Sequence, residues 1–205
     1  MGRAVALRLA AGKAKVLVND LDGETVLITE QLIRSSGGDA VALKGSVISS
    51  SDVQHMVDTA LDRFGSVHIL VNNAANPVAQ PIGEITAEAF AKSFEVNVRG
   101  PLFLFQACLP HLLASDHASV VNVISAGAFL STPGVSMYGA GKAALQSFTR
   151  SMAAEYAARG IRINALAPGA TDTTMVRNIG PEASASMARA SHCLLYTSPS
   201  PRDRG

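Results

Sequence analysis

The sequence predicts an α/β fold in which helices wind over both faces of a parallel sheet. From Lys15 onward, short aliphatic runs alternate with longer stretches of helical periodicity, the pattern of successive βα units. The short runs are continuously apolar rather than alternating, as suits strands covered on both faces. A chain of 205 residues, 48% hydrophobic and 16% charged, is also long enough to bury one domain core.

The strands are placed at Lys15 to Asn19, Ala40 to Leu43, Val67 to Val71, Ala118 to Ile124 and Ile161 to Ala165. The clearest helix starts near Ser50. Val53, Met56, Val57, Ala60, Leu61 and Phe64 form one apolar stripe along it, and Gly65 ends it. Further helices are expected over Arg3 to Ala11, Asp22 to Ser35, Phe94 to Leu113 and Tyr138 to Ala158. Asp22 would cap the second of these, Pro110 would kink or end the third, and Gly160 would stop the last. No internal repeat is present, and no linker precedes about residue 180.

Seventeen basic and sixteen acidic side chains leave a formal net charge of +1, which gives no electrostatic footprint for nucleic acid or an anionic membrane. A small-molecule site is expected instead. Cys108 and Cys193 have no metal-ligand spacing, nor do His55, His68, His111 and His117, so no metal is expected. Cys108 reads as a reduced, buried thiol. No apolar run reaches the roughly 18 residues of a membrane span, and the N-terminus lacks a signal-peptide core, so a cytoplasmic enzyme is expected.

In a doubly wound sheet the ligand crevice lies at the carboxyl ends of the strands. Three motifs fall there: Asn72-Asn73-Ala74-Ala75, Ser125 and Pro168-Gly169. Tyr138 and Lys142 are four apart, so on a helix they share one face and can meet a common ligand. A free tyrosine titrates near 10, and acid–base work near neutrality requires lowering this by about 3 units, worth roughly 4 kcal/mol. A nearby ammonium supplies part of that shift. The Ser125 hydroxyl can donate to a carbonyl or alkoxide oxygen while Tyr138 transfers the proton. Asn97 could anchor a water relaying protons to Lys142. A Tyr and a Lys four apart are by themselves no more than a helix-surface pair; the accompanying motifs, in order and at element ends, favour the chemical reading.

From Gly2 to about Met175 the chain resembles the classical short-chain dehydrogenase/reductase family. The family's NNAG element stands as Asn72 to Ala75, its asparagine as Asn97, its serine as Ser125, its YxxxK as Tyr138 and Lys142, and its PG-xxx-T element as Pro168-Gly169 through Thr173. The resemblance implies a Rossmann-like fold, with Tyr138 as acid/base, Ser125 orienting the substrate oxygen and Asn97 supporting the relay. Lys142 would lower the tyrosine pKa and bind the nicotinamide ribose. It further implies a nicotinamide dinucleotide and a substrate carrying a secondary alcohol or ketone, such as a 3-oxoacyl thioester, sugar or steroid. A homotetramer built on the helices around Phe94 to Leu113 and Tyr138 to Ala158 is also implied.

Cofactor contacts are expected from Gly2, Asp20, Val47, Asn73, Ala74, Tyr138, Lys142, Pro168, Gly169 and Thr173. Asp20 sits where the family places the acidic residue that binds the adenosine ribose, which favours NAD over NADP; its other reading is a helix cap. The sequence departs from the family at Ser46, where an aspartate is usual, and at Ala75, where glycine is usual.

Of the family's glycine-rich turn, Gly2-Arg3-Ala4-Val5-Ala6 resembles the last glycine and the first turn of the helix, while the opening strand and a last strand are missing. In the family's order the opening strand lies between those at Lys15 and Val67. Without it these neighbours stand about 9.6 Å apart, twice the pairing distance. A marginal or misfolded chain that binds dinucleotide poorly is therefore expected. Residues 1–190 read as a partial dinucleotide-binding domain. Residues 191–205 read either as a disordered Ser/Pro/Arg tail or as non-native translated sequence, in which Cys193 and Tyr196 have no role. The alternative function is a non-catalytic Rossmann-type dinucleotide-binding or regulatory protein, against which the joint presence of Ser125, Tyr138 and Lys142 argues.

Overall fold

Side-chain caps set where three of the helices begin. In this computed structural model, which describes residues 1–130, 133–169 and 171, Asp22 accepts from the Glu24 and Thr25 amides and opens α2 (Gly23–Ser35). Ser49 accepts from Asp52 N and opens α3 (Ser50–Phe64), which Gly65 closes in the left-handed region at φ 80°. Thr86 accepts from Ala89 N and opens α4 (Ala87–Phe94). The remaining helices are α1 (Gly2–Ala11), α5 (Gly100–Leu113) and α6 (Ser136–Tyr156). The strands are β1 (Val16–Asp20), β2 (Ala40–Lys44), β3 (Ile69–Asn72), β4 (Ser119–Val123) and β5 (Arg162–Leu166).

Every predicted strand and helix is present, with ends shifted by a few residues. Two expectations need correction. The helix expected from Phe94 begins at Ala87, seven residues earlier, and passes through a π-helical stretch at Glu95–Arg99 before α5. Pro110 does not end α5, which runs on to Leu113. A proline so near the C-terminus removes only the single N–H that would have bonded the Gln106 carbonyl.

The five strands form two separate parallel sheets. β1 pairs with β2, Val16 opposite Ala40, and β3–β4–β5 pair in that order, Ile69 opposite Ser119 and Ser119 opposite Arg162. Residues of β1 and β3 line a common slot of about 850 Å³, together with Val5 and Leu9 of α1, Val57 of α3 and Leu104 of α5. This is the gap expected where the opening strand is absent. It forgoes roughly 5 ladder hydrogen bonds of about 1 kcal/mol net each, set against a domain stability of about 5 to 15 kcal/mol. Among the described residues no strand follows β5.

The two halves differ in core. Leu70, Phe105, Leu112, Val120, Met152 and Ile163 belong to a cluster of eleven buried residues that joins β3–β4–β5 to α3, α5 and α6. Only Ala6, Ala10, Ile33 and Ala40 make up the buried cluster of the β1–β2 half. Stability therefore resides mainly in the three-stranded half, which also carries Ser125, Tyr138 and Lys142. Among the described residues no helix is long and apolar enough to cross a membrane.

Gly38 shows how tightly the smaller half is closed. A Cβ there would lie 2.8 Å from Ile33 Cγ2, 3.2 Å from Ile33 O and 3.3 Å from Ala10 Cβ. Gly38→Ala is expected to destabilise the chain by about 1 to 3 kcal/mol through overpacking, read as a lowered urea midpoint.

Candidate active site

The carboxyl ends of β3 and β4 and the first turns of α6 converge on one crevice. Ser125 follows β4, buried and extended at φ −158°, and its Oγ accepts from Gly127 N at 3.1 Å, which leaves the hydroxyl hydrogen free to donate elsewhere. The next amide, Ala126 N, donates to the Pro168 carbonyl at 2.9 Å. Pro168, predicted as a cofactor contact, thus also fixes the Ser125 loop.

Tyr138 and Lys142 lie one turn apart near the start of α6, with Lys142 Nζ 5.8 Å from the Tyr138 ring centroid. Lys142 is 1% exposed, and its Nζ donates to the Val123 carbonyl at 2.7 Å. Burial pulls the ammonium down to about 8 from its ordinary 10.5. The lowered phenol expected for Tyr138 is not found. Burial raises it, and the hydrogen bond with Ser125 draws it only partly back.

Asn97 is fully buried in the π-helical stretch. Its Oδ1 accepts from Asn76 N at 3.0 Å, and its Nδ2 donates to Asn76 O at 2.8 Å and to Ser93 Oγ at 3.1 Å. Both amide hydrogens are therefore committed to the loop after β3 and to its own helix. The side chain fastens that loop against α4, a role not foreseen for it. A Cβ on Gly141 would lie 3.3 Å from Asn97 Cβ, so α6 packs closely on this stretch because position 141 is glycine.

Of the predicted cofactor residues, Gly2, Asp20, Val47, Asn73 and Ala74 line the cavity that contains the slot between β1 and β3. Asp20 is exposed at the end of β1 and its Oδ1 accepts from Asp22 N at 3.2 Å, while Asp22 caps α2. The two readings of Asp20 are thereby separated, since the cap belongs to Asp22. Asn73 and Ala74 follow β3, and Asn73 Nδ2 stands where a Cβ on Gly2 would come within 2.7 Å. Gly2 begins α1, whose first turn has no side-chain cap, so its leading N–H groups point outward unbonded by a cap. Val47 packs on Gly100. Ser46, the departure from the family pattern, donates its backbone N–H to Asp52 Oδ2 at 2.8 Å. Gly169 accepts from the Thr171 hydroxyl at 3.2 Å. Thr173, Cys193 and Tyr196 lie outside the described residues, as does the whole of 191–205.

Asn122 and Thr149, which help build the site, were missed in the sequence, whereas their partner Asn72 belongs to the strand-end motif. Asn72 Nδ2 donates to Asn122 Oδ1 at 2.8 Å, Asn122 Nδ2 to Thr149 Oγ1 at 2.9 Å, and Thr149 Oγ1 to Leu145 O at 2.7 Å. This buried chain of hydrogen bonds ties β3 and β4 to α6. A polar residue inside an apolar strand, as Asn122 is, was the available signal. Gly139 was missed too; a Cβ there would fall 2.6 Å from Gly127 O, so only glycine lets α6 start against the Ser125 loop. Two glycines within one helical turn, each costing about 1 kcal/mol in propensity, mark such close packing. Among the described residues no group of three His, Cys, Asp or Glu could hold a metal ion. Cys108 is a buried free thiol raised to about 11 by burial.

The family model described as short chain dehydrogenase matches residues 1–184. An uncharacterized oxidoreductase of Thermotoga maritima is 36% identical over 173 residues, 84% of this chain and 68% of that protein. Human dehydrogenase/reductase SDR family member 4 is 35% identical over 181 residues, 86% of this chain and 64% of that protein. Among solved structures, gluconate 5-dehydrogenase of Burkholderia cenocepacia in complex with NADP and tartrate superposes with a TM-score of 0.79 at 29% identity, over 87% of this chain and 71% of that one. The chain thus spans about two thirds of the length of the proteins it matches.

Because Lys142 titrates near 8 when folded and 10.5 when free, the unfolded chain holds more protons between those values, and stability rises with pH across that window. Below pH 8 the charged, buried ammonium carries its full penalty of about 3 kcal/mol, offset in the variant by about 1 kcal/mol for an orphaned Val123 carbonyl. Lys142→Met is expected to stabilise the chain by about 2 kcal/mol at pH 7, with the gain fading between pH 8 and 10.5. Urea unfolding at pH 7 and pH 10 measures both.

Proposed function

We propose that this chain, which belongs to the short-chain dehydrogenase/reductase family of NAD(P)-dependent oxidoreductases, carries the proton-transfer half of an enzyme interconverting a secondary alcohol and a ketone. The observation that carries this reading is the convergence of a buried lysine, a tyrosine one turn away and, at the end of β4, a serine whose hydroxyl bonds that tyrosine.

The described residues fit a nicotinamide dinucleotide at two points. The uncapped first turn of α1 suits an anionic group, and the exposed Asp20 carboxylate suits ribose hydroxyls. When bound, that cofactor supplies or accepts the hydride. Ser125 would hold the substrate oxygen by donating its hydroxyl hydrogen, and Tyr138 would move the proton at that same oxygen. Lys142 is the cation that would draw the Tyr138 phenol down from its raised value, while protonated, below about pH 8. The carboxylate at Asp20 favours NAD, since it repels a 2′-phosphate. A 3-oxoacyl thioester, a sugar or a steroid would meet the half-exposed Phe129 beyond Ser125. The exposed Phe103 and Phe148 on α5 and α6 support a homo-oligomer formed through those helices.

The test is NAD-dependent oxidation of a panel of secondary alcohols by a fusion that supplies a strand and a glycine-rich turn ahead of Met1. Tyr138→Phe is expected to cut kcat by about 10²- to 10⁴-fold with cofactor affinity retained; undiminished turnover would remove Tyr138 from the chemistry. In the same fusion, Asp20→Ala is expected to lower the NAD-over-NADP preference in kcat/KM by about 10- to 100-fold, the worth of a hydrogen bond to a charged group.

A further inference from the structure

We propose that Arg99 is a positioning residue for the adenine end of the cofactor. It straps the turn from Ser46 to Ser49, and with it Val47, against the start of α5. Arg99 has this role only if the chain holds the nicotinamide dinucleotide proposed for it, with Val47 bordering the adenine as the family resemblance implies.

The turn is held on two sides. Toward α3, Ser46 N donates to Asp52 Oδ2 at 2.8 Å and Ser49 caps the helix. Toward α5, Val47 lies against bare backbone, since a Cβ on Gly100 would come 3.0 Å from Val47 Cγ2 and 3.2 Å from Val47 O. Beside that contact Arg99 Nη1 donates to the Ile48 carbonyl at 3.3 Å and to Glu95 Oε2 at 2.6 Å. The guanidinium also stands 5.1 Å from the Phe103 ring centroid. Glu95 and Phe103, one turn before and one turn after Arg99, thus hold the guanidinium where it meets the turn. Its side chain is 42% exposed, and an exposed pair with Glu95 adds little stability. Fixing the turn is the larger consequence of its geometry.

The π-helical stretch Glu95–Arg99 serves two loops at once. Side chains two apart on a helix point to different sides. Asn97 turns inward to clasp Asn76, and Arg99 reaches Ile48. The loop after β3, which carries Asn73 and Ala74, and the turn after β2, which carries Val47, are thereby fastened to the same five residues. Position 46 adds to the demand on Val47. Ser46 supplies a hydroxyl, already accepting from Ile48 N at 3.4 Å, where the family has a carboxylate, so packing on Val47 carries more of the adenine contact.

The test separates the two halves of the cofactor. Adenosine monophosphate and nicotinamide mononucleotide are titrated separately into the full 205-residue chain and followed by amide NMR shifts. Arg99→Met keeps an apolar stem near Phe103 and removes the charge and both hydrogen bonds. It is expected to weaken adenosine monophosphate by about 2- to 5-fold, the worth of an exposed charged contact, and to leave nicotinamide mononucleotide unchanged. Arg99→Lys, which keeps the charge and a donor for the Ile48 carbonyl, is expected to recover part of the loss. Unaltered adenosine monophosphate affinity in Arg99→Met, or equal weakening of both halves, would overturn the role of Arg99 while leaving the cofactor reading intact. An unmodified chain that binds neither mononucleotide would remove the dinucleotide reading itself, and the role of Arg99 with it.

Discussion

The site depends first on the buried hydrogen-bond chain Asn72–Asn122–Thr149. Asn72 and Asn122 face each other in register near the ends of β3 and β4, and Thr149 reaches Asn122 from α6, seven residues beyond Lys142. In a low-dielectric interior each of these amides needs its partner, so the network admits one placement of α6 against the sheet. That placement brings Lys142 Nζ to the Val123 carbonyl and Tyr138 toward Ser125. Satisfied polar groups set the register, and the apolar cluster around Val120, Phe105 and Ile163 supplies the burial.

Burial of Lys142 joins function to stability. A lysine held at 1% exposure loses hydration that the hydrogen bond to the Val123 carbonyl does not replace. The chain tolerates this because the three-stranded half is otherwise well packed. The same burial that lowers Lys142 raises the Tyr138 phenol, so one cause shifts the two groups in opposite directions.

Much of this was legible in the sequence because the signals were local and periodic. The apolar stripe of α3, its Gly65 stop and the strand runs follow from spacing alone, and the strand-end position of Ser125 follows from the βα alternation. The family resemblance also foretold the gap between β1 and β3. What escaped was set by contacts distant in sequence. Asn97 clasps the backbone of Asn76, Pro168 holds Ala126, and Gly139 admits the carbonyl of Gly127. None of these has a periodic signature. The helix start at Ala87 was overlooked although Thr86 is a good cap, because the π-helical stretch at Glu95–Arg99 breaks the 3.6-residue period. The raised Tyr138 pKa was missed because spacing reports a neighbour but not the desolvation around it.

The central claim is that the proton-transfer residues sit in a cooperatively packed half that stands apart from the incompletely paired β1–β2 half. Native-state hydrogen exchange across a denaturant series measures this directly. Amides of β4, Val120 and Val121 above all, should exchange only through the highest-energy opening, whereas Val18 and the α1–α2 pair should exchange through a separate opening about 2 kcal/mol or more below it. If both sheets merge into one opening of equal free energy, the division of the fold into a complete and an incomplete half is wrong.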